Sequence, residues 1–302
     1  MILLECVPNV SEGRDAALVK RIAAAFTSAG GTLLDISSDA DHHRSVITFA
    51  GTPAEVVAGA VAGVKAARDG IDLSRHKGEH PRMGAADVVP FVPLGSAGMP
   101  DAVRAAEQTA ERIAKELGVP TFLYGEAARA PARRDLAWVR KGEFEGLSAA
   151  VPSDAERVPD FGPRRLHPTA GASAVGARFF LIAFNVNLKS RDVAVAKKIA
   201  KEIREKDGGL PGVKALGFDL EALGQVQVSM NLVDYRKTSP IQVFDVIAAK
   251  AKAAGVEVAG SELVGLIPEA AAPADLAARV KLIGFEPDQV IEARLRRLRG
   301  GR

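Results

Sequence analysis

The first half of the chain alternates short apolar runs with longer segments in which apolar residues recur every three or four positions. Short apolar runs predict strands, and the longer pattern predicts amphipathic helices. The predicted strands cover residues 3–7, 32–36, 44–50, 86–92 and 121–124. The predicted helices begin near Ser11, Thr52 and Pro100, and the last of them ends before Gly118. The first half therefore contains a βαββαβ arrangement.

The second half repeats this order of elements. Strands are predicted at 179–186, 213–220 and 225–233 and from residue 256 onward, and helices at 191–206 and 239–254. The order βαββαβ is that of a ferredoxin-like unit. A basic amphipathic helix is predicted near the end of the chain, at 288–299.

A short internal similarity supports a repeat. Residues 9–16 resemble residues 185–192 with a one-residue gap, and the helices that follow share a basic-basic-Ile-Ala sequence at 20–23 and 197–200. Chance similarity between two amphipathic helices is the alternative, but the shared element order argues against it. The sequence therefore predicts an α+β fold of two ferredoxin-like subdomains, 1–178 and 179–302, related by internal duplication. Two such units facing each other would form a ligand cleft between them.

The segment 126–176 differs from both repeats because it is rich in Arg, Pro and Gly and poor in apolar runs. A disordered linker of this length would be unusual in a compact protein. We interpret the segment as a partly helical connection between the two units, with loops shaped around a ligand.

Composition narrows the class of protein. The chain has 302 residues, 47% of them hydrophobic and 25% charged, which is typical of a soluble globular protein of about two domains. A formal net charge of +3 favours anionic ligands only slightly. The basic tail at 294–302 has no interleaved aromatic residues, so we expect no nucleic-acid partner.

Cysteine content and hydropathy point to a cytoplasmic protein. The single cysteine, Cys6, excludes an internal disulfide framework and a cysteine-based metal site. No apolar run approaches the roughly 20 residues of a membrane helix, and the N-terminus has no basic leader, so we expect neither membrane insertion nor a signal peptide.

The segment 74–84 carries the strongest chemical signal. It contains His76 and His80 among charged residues, Gly and Pro. Histidine suits general acid–base catalysis near neutral pH, and the flanking Arg and Lys side chains suit an anionic substrate. A solvated polar loop is the alternative. A metal site is disfavoured because Gly78 and Pro81 oppose a helix that would place both histidines on one face.

Two further segments are candidates for ligand contacts. A polar cluster between two predicted strands contains a carboxylate able to orient a histidine and an arginine able to bind a carboxylate, namely Asp39, Asp41, His42, His43 and Arg44. A charged hairpin turn is the alternative. The loop 162–171, bounded by glycines, either wraps a ligand or serves as a linker. No Walker loop or dinucleotide fingerprint is present.

Several stretches resemble the formiminotransferase family, whose members include glutamate formimidoyltransferase and the N-terminal part of formimidoyltransferase-cyclodeaminase. The opening Glu5-Cys6-Val7-Pro8-Asn9-Val10-Ser11-Glu12-Gly13 and the loop 75–84 carry most of the resemblance. Similar stretches lie at 124–129, 176–185, 227–232 and 260–268, so the resemblance extends over about nine tenths of the chain. No cyclodeaminase-sized part follows, which points to the stand-alone transferase.

The resemblance implies two ferredoxin-like subdomains, a folate passage between them and a homodimer. It implies transfer of a formimino group between N-formimidoyl-L-glutamate and tetrahydrofolate, a step of histidine degradation, with tetrahydrofolate as co-substrate and no metal. The catalytic histidine of the family falls on His80. Its folate-contacting stretch falls on Gly162, Pro163, Arg164, Arg165, Leu166, His167, Pro168, Thr169, Ala170 and Gly171. This stretch is more basic than expected at Arg164, Arg165 and His167, and the pair His42-His43 also departs from the family.

These assignments give a mechanistic hypothesis. His80 serves as general acid and base between the two nitrogens that exchange the one-carbon group. Asp39 orients His80 or stabilises its cation, and Arg44 and Arg82 bind the glutamate carboxylates. Alternatives are transfer of a formyl group from N-formylglutamate, a folate-binding protein without turnover, and an RNA-associated ferredoxin-like module.

Overall fold

The computed structural model describes residues 2–78 and 81–300. The chain forms two compact units, Met1–Arg178 and Phe179–Arg302, and each is described here by itself. Within the described residues, no helix combines the length and the apolar character needed to cross a membrane.

The first unit is built on a mixed sheet. Its described strands are β1 (Ile2–Cys6), β2 (Asn9–Val10), β3 (Thr32–Asp39), β4 (Arg44–Gly51), β5 (Ala86–Gly95), β6 (Thr121–Gly125) and β7 (Ser173–Ala177). β1 and β2 both lie between β4 and β5, so together they form one interrupted strand. From edge to edge the order is β3, β4, β1 with β2, β5, β7 and β6. β7 pairs in parallel with β5 and β6, and the other pairs are antiparallel.

Helices follow the strands along the chain. The described helices of the first unit are α1 (Ala16–Thr27), α2 (Pro53–Gly70), α3 (Met99–Leu117), α4 (Leu136–Arg140) and α5 (Glu143–Ala150). Short 3₁₀ turns at Pro131–Arg134 and Ala155–Arg157 flank α4 and α5. α2 begins with a capping box in which Thr52 and Glu55 each accept the other's backbone N–H, with Pro53 at the first helical position.

The two faces of this sheet are covered differently. α1, α2 and α3 bury one face around Ile22, Phe26, Phe49 and Ile113. Phe122 and Tyr124 of β6 point to the opposite face and pack with Val139 of α4 and Leu147 of α5. α4 and α5 therefore form a second layer, which covers the β5, β7 and β6 side of the sheet.

Residues 126–176 were interpreted as a partly helical connection between the units. The segment is partly helical, as predicted, but it belongs to the first unit, where it supplies α4, α5 and most of β7. β7 was not predicted because Ser173–Ala177 consists of small residues without a period-two pattern.

The second unit has a purely antiparallel sheet. Its described strands are β8 (Ile182–Leu188), β9 (Val213–Leu220), β10 (Gln225–Leu232) and β11 (Val258–Val264), in the order β11, β8, β10, β9. Its described helices are α6 (Val193–Ile203), α7 (Pro240–Ala253), α8 (Leu276–Arg279) and α9 (Ile291–Gly300), with 3₁₀ turns at Glu205–Asp207, Glu221–Leu223, Glu269–Ala271 and Pro287–Gln289. The predicted elements 213–220, 225–233 and 239–254 agree closely with β9, β10 and α7.

The two units share an element order. The order along the first unit is β1 with β2, α1, β3, β4, α2 and β5, and the order along the second unit is β8, α6, β9, β10, α7 and β11. The equivalent strands also have the same neighbours within their sheets. The ferredoxin-like classification, the duplication and the ligand cleft stay predictions.

Candidate functional site

The loop that precedes β5 was predicted to carry the chemistry. His80 and its neighbour Glu79 lie outside the described residues, so the site is built from the residues on either side, 75–78 and 81–84. These flanks contact the β3–β4 hairpin and the start of α5, as follows.

His76 is a structural anchor on the first flank. Its side chain is buried, and its Nε2 donates to the backbone oxygen of His43 at 3.0 Å. Its Nδ1 accepts from Nε of Arg82 at 3.2 Å. Burial lowers the pKa of His76, so its ring is neutral near physiological pH, with the proton on Nε2. Because both ring nitrogens are engaged, His76 is not available as a proton carrier.

His43 lies parallel to His76. The ring centroids are 4.1 Å apart and the planes make an angle of 6°. Nδ1 of His43 lies 3.1 Å from the backbone oxygen of Lys77, and Nε2 lies 3.1 Å from a carboxylate oxygen of Glu12. Both partners are hydrogen-bond acceptors, so each ring nitrogen of His43 faces an acceptor. Burial alone would raise the pKa of Glu12. The backbone N–H groups of Asp15 and Arg14 outweigh this effect and hold the pKa low, which keeps the carboxylate charged.

Gly78 brings the loop into contact with the hairpin backbone. A Cβ at this position would lie 2.6 Å from the backbone oxygen of His42 and 2.7 Å from Cβ of His43. Only glycine permits this approach, so the backbone of residue 78 lies directly against the β3–β4 turn.

Arg82 fixes the other flank. Its Nη2 donates to Glu145 at 2.7 Å, and its Nη1 donates to Glu143 at 3.3 Å. The hydrogen bond to Glu145, together with the charge of Glu143, raises the pKa of Arg82. Arg82 was predicted to bind a substrate carboxylate, but in the structure its guanidinium already pairs with two carboxylates of α5.

Asp39 and Arg44 are partners across the β3–β4 hairpin. The Asp39 carboxylate is half exposed, accepts the backbone N–H groups of Asp41 and His42, and lies 2.9 Å from Nδ1 of His42. The His42 N–H, followed by its side chain, lowers the pKa of Asp39. Among the described histidines, Asp39 therefore orients His42. The contact of Asp39 with His80 stays a prediction.

Arg44 and Asn9 lie on the side of the sheet opposite α1–α3. Ile47 and Phe49 of the same strand belong to the core under those helices, and Val46, which pairs with Asn9, lies on the other face. Nη1 of Arg44 donates to Asn9 Oδ1 at 3.2 Å. Burial, and then the charge of Arg140, lowers the pKa of Arg44.

Asp87 and Arg140 were not identified from the sequence. Asp87 is 2% exposed, accepts the backbone N–H of Met83 at 2.7 Å, and pairs with Nη2 of Arg140 at the end of α4. Burial raises the pKa of Asp87 although Arg140 opposes this effect. An aspartate and an arginine 53 positions apart carry no sequence signal, so their pairing appears only in the folded chain.

The predicted folate-contacting stretch lies beside the base of the loop. Gly171 pairs with Gly84, and Ala85 donates to the backbone oxygen of Ala170 at 2.9 Å. Leu166 and Ala170 are buried, whereas Gly162, Arg164, Arg165 and Pro168 are exposed and Pro163 and Thr169 are half-buried.

Within this stretch, His167 closes a tight turn. Its Nδ1 accepts the backbone N–H of Ala170 at 3.1 Å, and burial lowers its pKa. Arg164 donates to the backbone oxygen of Val151 at 3.2 Å. Among the predicted contacts, Arg165 is an exposed cation, and Leu166 is part of the second core layer.

Within residues 2–78 and 81–300, no group of three or more His, Cys, Asp or Glu side chains is arranged to hold a metal ion. The chemistry of this region is that of histidines, carboxylates and guanidinium groups.

Comparisons with known proteins agree with the sequence resemblance. The model of the formiminotransferase domain, N-terminal subdomain, matches residues 3–178, and that of the formiminotransferase domain matches residues 183–293. Glutamate formimidoyltransferase of Thermoplasma acidophilum is 46% identical over 98% of each chain, and that of Streptococcus pyogenes serotype M1 is 47% identical over 88% of this chain and 89% of its own. Formimidoyltransferase-cyclodeaminase of Gallus gallus is 45% identical over 89% of this chain, which spans 51% of the length of that relative. The resemblance is therefore confirmed, and the chain belongs to the formiminotransferase family.

Proposed function

We propose that this chain is a glutamate formimidoyltransferase. It transfers a formimino group between N-formimidoyl-L-glutamate and tetrahydrofolate, a reaction of histidine degradation, and tetrahydrofolate is a co-substrate. The observation that carries the proposal is the identity of 46% over 98% of both chains with a relative of that name.

The reaction needs one proton carrier between two nitrogens. A nitrogen of tetrahydrofolate attacks the amidine carbon, and a tetrahedral intermediate forms. The attacking nitrogen then loses a proton, the glutamate nitrogen gains one, and the bond from carbon to the glutamate nitrogen breaks. A single residue that accepts the first proton and donates the second serves both steps.

We assign this role to His80, and the contacts of the other histidines support the assignment. Both ring nitrogens of His43 and both of His76 already contact protein groups. His167 uses Nδ1 to close its own turn. His42 is the alternative, because it forms a dyad with Asp39 and half of its side chain is exposed.

The remaining assignments follow from position. Arg44 binds a carboxylate of the glutamate, and the segment 162–171 contacts folate beside the base of the loop. The homodimeric state and the cytoplasmic location expected from the sequence remain predictions, and the first of them is measured by light scattering.

We also propose that the two units are ferredoxin-like and arose by duplication. Equivalent aspartates support this proposal, since Asp15 and Asp192 both cap the helix that follows the first strand of their unit. The matching strand orders of the two units support it as well.

The test is a turnover assay with tetrahydrofolate and either N-formimidoyl- or N-formyl-L-glutamate. We expect turnover with the formimidoyl donor, and preference for the formyl donor would contradict the proposed substrate. His80→Ala is expected to lower turnover about 10²- to 10⁴-fold while folate binding persists. His42→Ala is the matched variant. If it abolishes turnover and His80→Ala does not, the proton carrier is His42. Folate binding by the wild type without turnover would identify a binding protein.

A further inference from the structure

A cationic pair lies beside the histidine loop on the face of the first unit's sheet that α1–α3 leave uncovered. Arg44 reaches this face from the start of β4, and Arg140 reaches it from the end of α4. Burial, and then the charge of Arg140, lowers the pKa of Arg44. An anion bound beside both guanidinium groups would offset the effect of one positive charge on the other.

The buried carboxylate of Asp87, which contacts Arg140, is committed to the fold. Asp87 uses one oxygen for the backbone N–H of Met83 and the other for Arg140. Asp87 is a single carboxylate, and its direct ion pair is with Arg140. Asp39, whose charge also acts on Arg44, is half exposed and already contacts His42.

Arg140 also has unused hydrogen-bonding capacity. Its Nε is buried, and no acceptor among the described residues lies within hydrogen-bond distance of it. Buried donors in native proteins almost always have a partner, so this Nε–H indicates an acceptor that the described residues do not supply. The Arg140 side chain as a whole keeps 17% of its surface accessible.

We propose that Arg140 and Arg44 together bind a carboxylate group of a glutamyl ligand, with Asp87 positioning Arg140. This inference rests on the proposed function and refines it, because the sequence had assigned the second carboxylate contact to Arg82. Arg82 is paired with Glu143 and Glu145, and these two carboxylates would repel an anionic substrate. The planar guanidinium fork matches a carboxylate in two hydrogen bonds, which suits recognition of glutamate.

Two sources can supply the carboxylate, N-formimidoylglutamate itself and the glutamyl tail of tetrahydrofolate. Steady-state kinetics of Arg140→Lys distinguish them. Lysine keeps the charge opposite Asp87 and removes the fork. We expect KM to rise about 10- to 100-fold for the ligand that Arg140 holds, and to change less than about twofold for the other.

Arg133→Lys is the matched control. Arg133 is likewise a buried guanidinium of the first unit, paired with Asp160, and it lies outside the proposed site. If both variants change KM equally, the effect is structural and the inference is wrong.

Substrates that lack one carboxylate sharpen the test. N-formimidoyl-4-aminobutyrate lacks the α-carboxylate, and N-formimidoyl-2-aminobutyrate lacks the side-chain carboxylate. If Arg140 binds a carboxylate of the donor, a donor that lacks this carboxylate should lower kcat/KM for the wild type. Arg140→Lys should then cause little further loss with that donor, because both changes remove the same contact. The equivalent comparison for the folate tail uses tetrahydropteroate. If the loss from the missing carboxylate and the loss from Arg140→Lys multiply fully for all three compounds, the inference is wrong.

Calorimetric titration of the wild type and of Arg140→Lys with L-glutamate and with tetrahydrofolate separates this inference from the proposed function. Weaker binding of either ligand to the variant supports the carboxylate site even if the wild type shows no transferase turnover. Normal turnover together with unchanged binding of both ligands would leave the function standing and remove the site.

Discussion

The imidazole rings of His43 and His76 stack face to face and join the β3–β4 hairpin to the loop that contains His80. His43 holds this position with a left-handed backbone, at a φ of 50°. Such a conformation is uncommon outside glycine and is maintained by the surrounding contacts. The stack and the contacts to Glu12 and Lys77 supply them. The two histidines therefore fix the entry to the loop, while the acid–base chemistry is assigned to His80.

Acid should destabilise the protein through its buried histidines. Burial lowers the pKa of His76 and of His167 below the ordinary 6.5. The unfolded chain then binds protons more readily than the folded one, so their contribution is fully present above pH 6.5 and is lost as the pH falls toward the folded values. We expect the free energy of unfolding to decrease as the pH falls from about 6.5 to about 5.

Denaturant titrations of the wild type and of a double variant that carries both His76→Gln and His167→Gln check this prediction. The double variant should show a weaker pH dependence over this interval. Equal slopes in the two proteins would show that other groups are responsible.

Gly78→Ala should impair turnover more than stability. The added methyl group would meet the backbone oxygen of His42 at 2.6 Å, so the chain next to His80 must move. A displacement of about 1 Å at a catalytic group can cost on the order of 10²-fold in rate. The measurement is kcat/KM with the formimidoyl donor.

Gly146→Ala is the control for this substitution. It lies in α5, and a Cβ there meets no atom within 4 Å. We expect unchanged turnover and a slight gain in stability from better helix propensity. Equal activity of both variants would mean that the loop does not need its contact with the hairpin.

Asp87→Asn should be strongly destabilising. The substitution removes the negative charge that compensates Arg140 and leaves this cation in a largely buried position. Breaking such a pair costs on the order of 3 kcal/mol. Equilibrium unfolding in urea measures the difference. Asp69→Asn, in an exposed pair with Lys65 and Arg68, should cost less than about 1 kcal/mol. A comparable loss in both variants would contradict the buried role of Asp87.

Cys6 should resist thiol reagents in the folded protein. Its side chain has no exposed surface, and burial raises its pKa well above the ordinary value. Because the thiolate is the reactive form, both effects suppress modification. A chromogenic disulfide reagent at neutral pH should detect no thiol in the native state and one per chain in guanidinium chloride. Rapid modification of the native protein would disprove this burial.

The sequence predicted elements where local pattern decides the structure. Apolar alternation predicted β4 and the start of β5, and capping residues at Thr52 and Ser239 marked the beginnings of α2 and α7. The polar cluster 39–44 was recognised, and its alternative interpretation as a hairpin turn describes the backbone there.

Long-range pairs were beyond the sequence. The contact of Asp87 with Arg140 and that of Arg82 with Glu145 join segments more than 50 positions apart, and each side chain alone resembles an ordinary surface charge. β7 was not predicted for a related reason, because its small residues form a strand only through pairing with β5 and β6. Tertiary packing, rather than local propensity, decides such elements.

The contact between Gly84 and Gly171 limits how this region can be redesigned. A Cβ at position 171 would lie 2.1 Å from the backbone oxygen of Met83, and one at position 84 would lie 1.9 Å from that of Ala172. The two main chains therefore approach so closely that neither glycine position has room for a Cβ. A graft that replaces the segment 162–171 must therefore keep glycine at positions 84 and 171, whereas the exposed Arg164 and Arg165 can be varied.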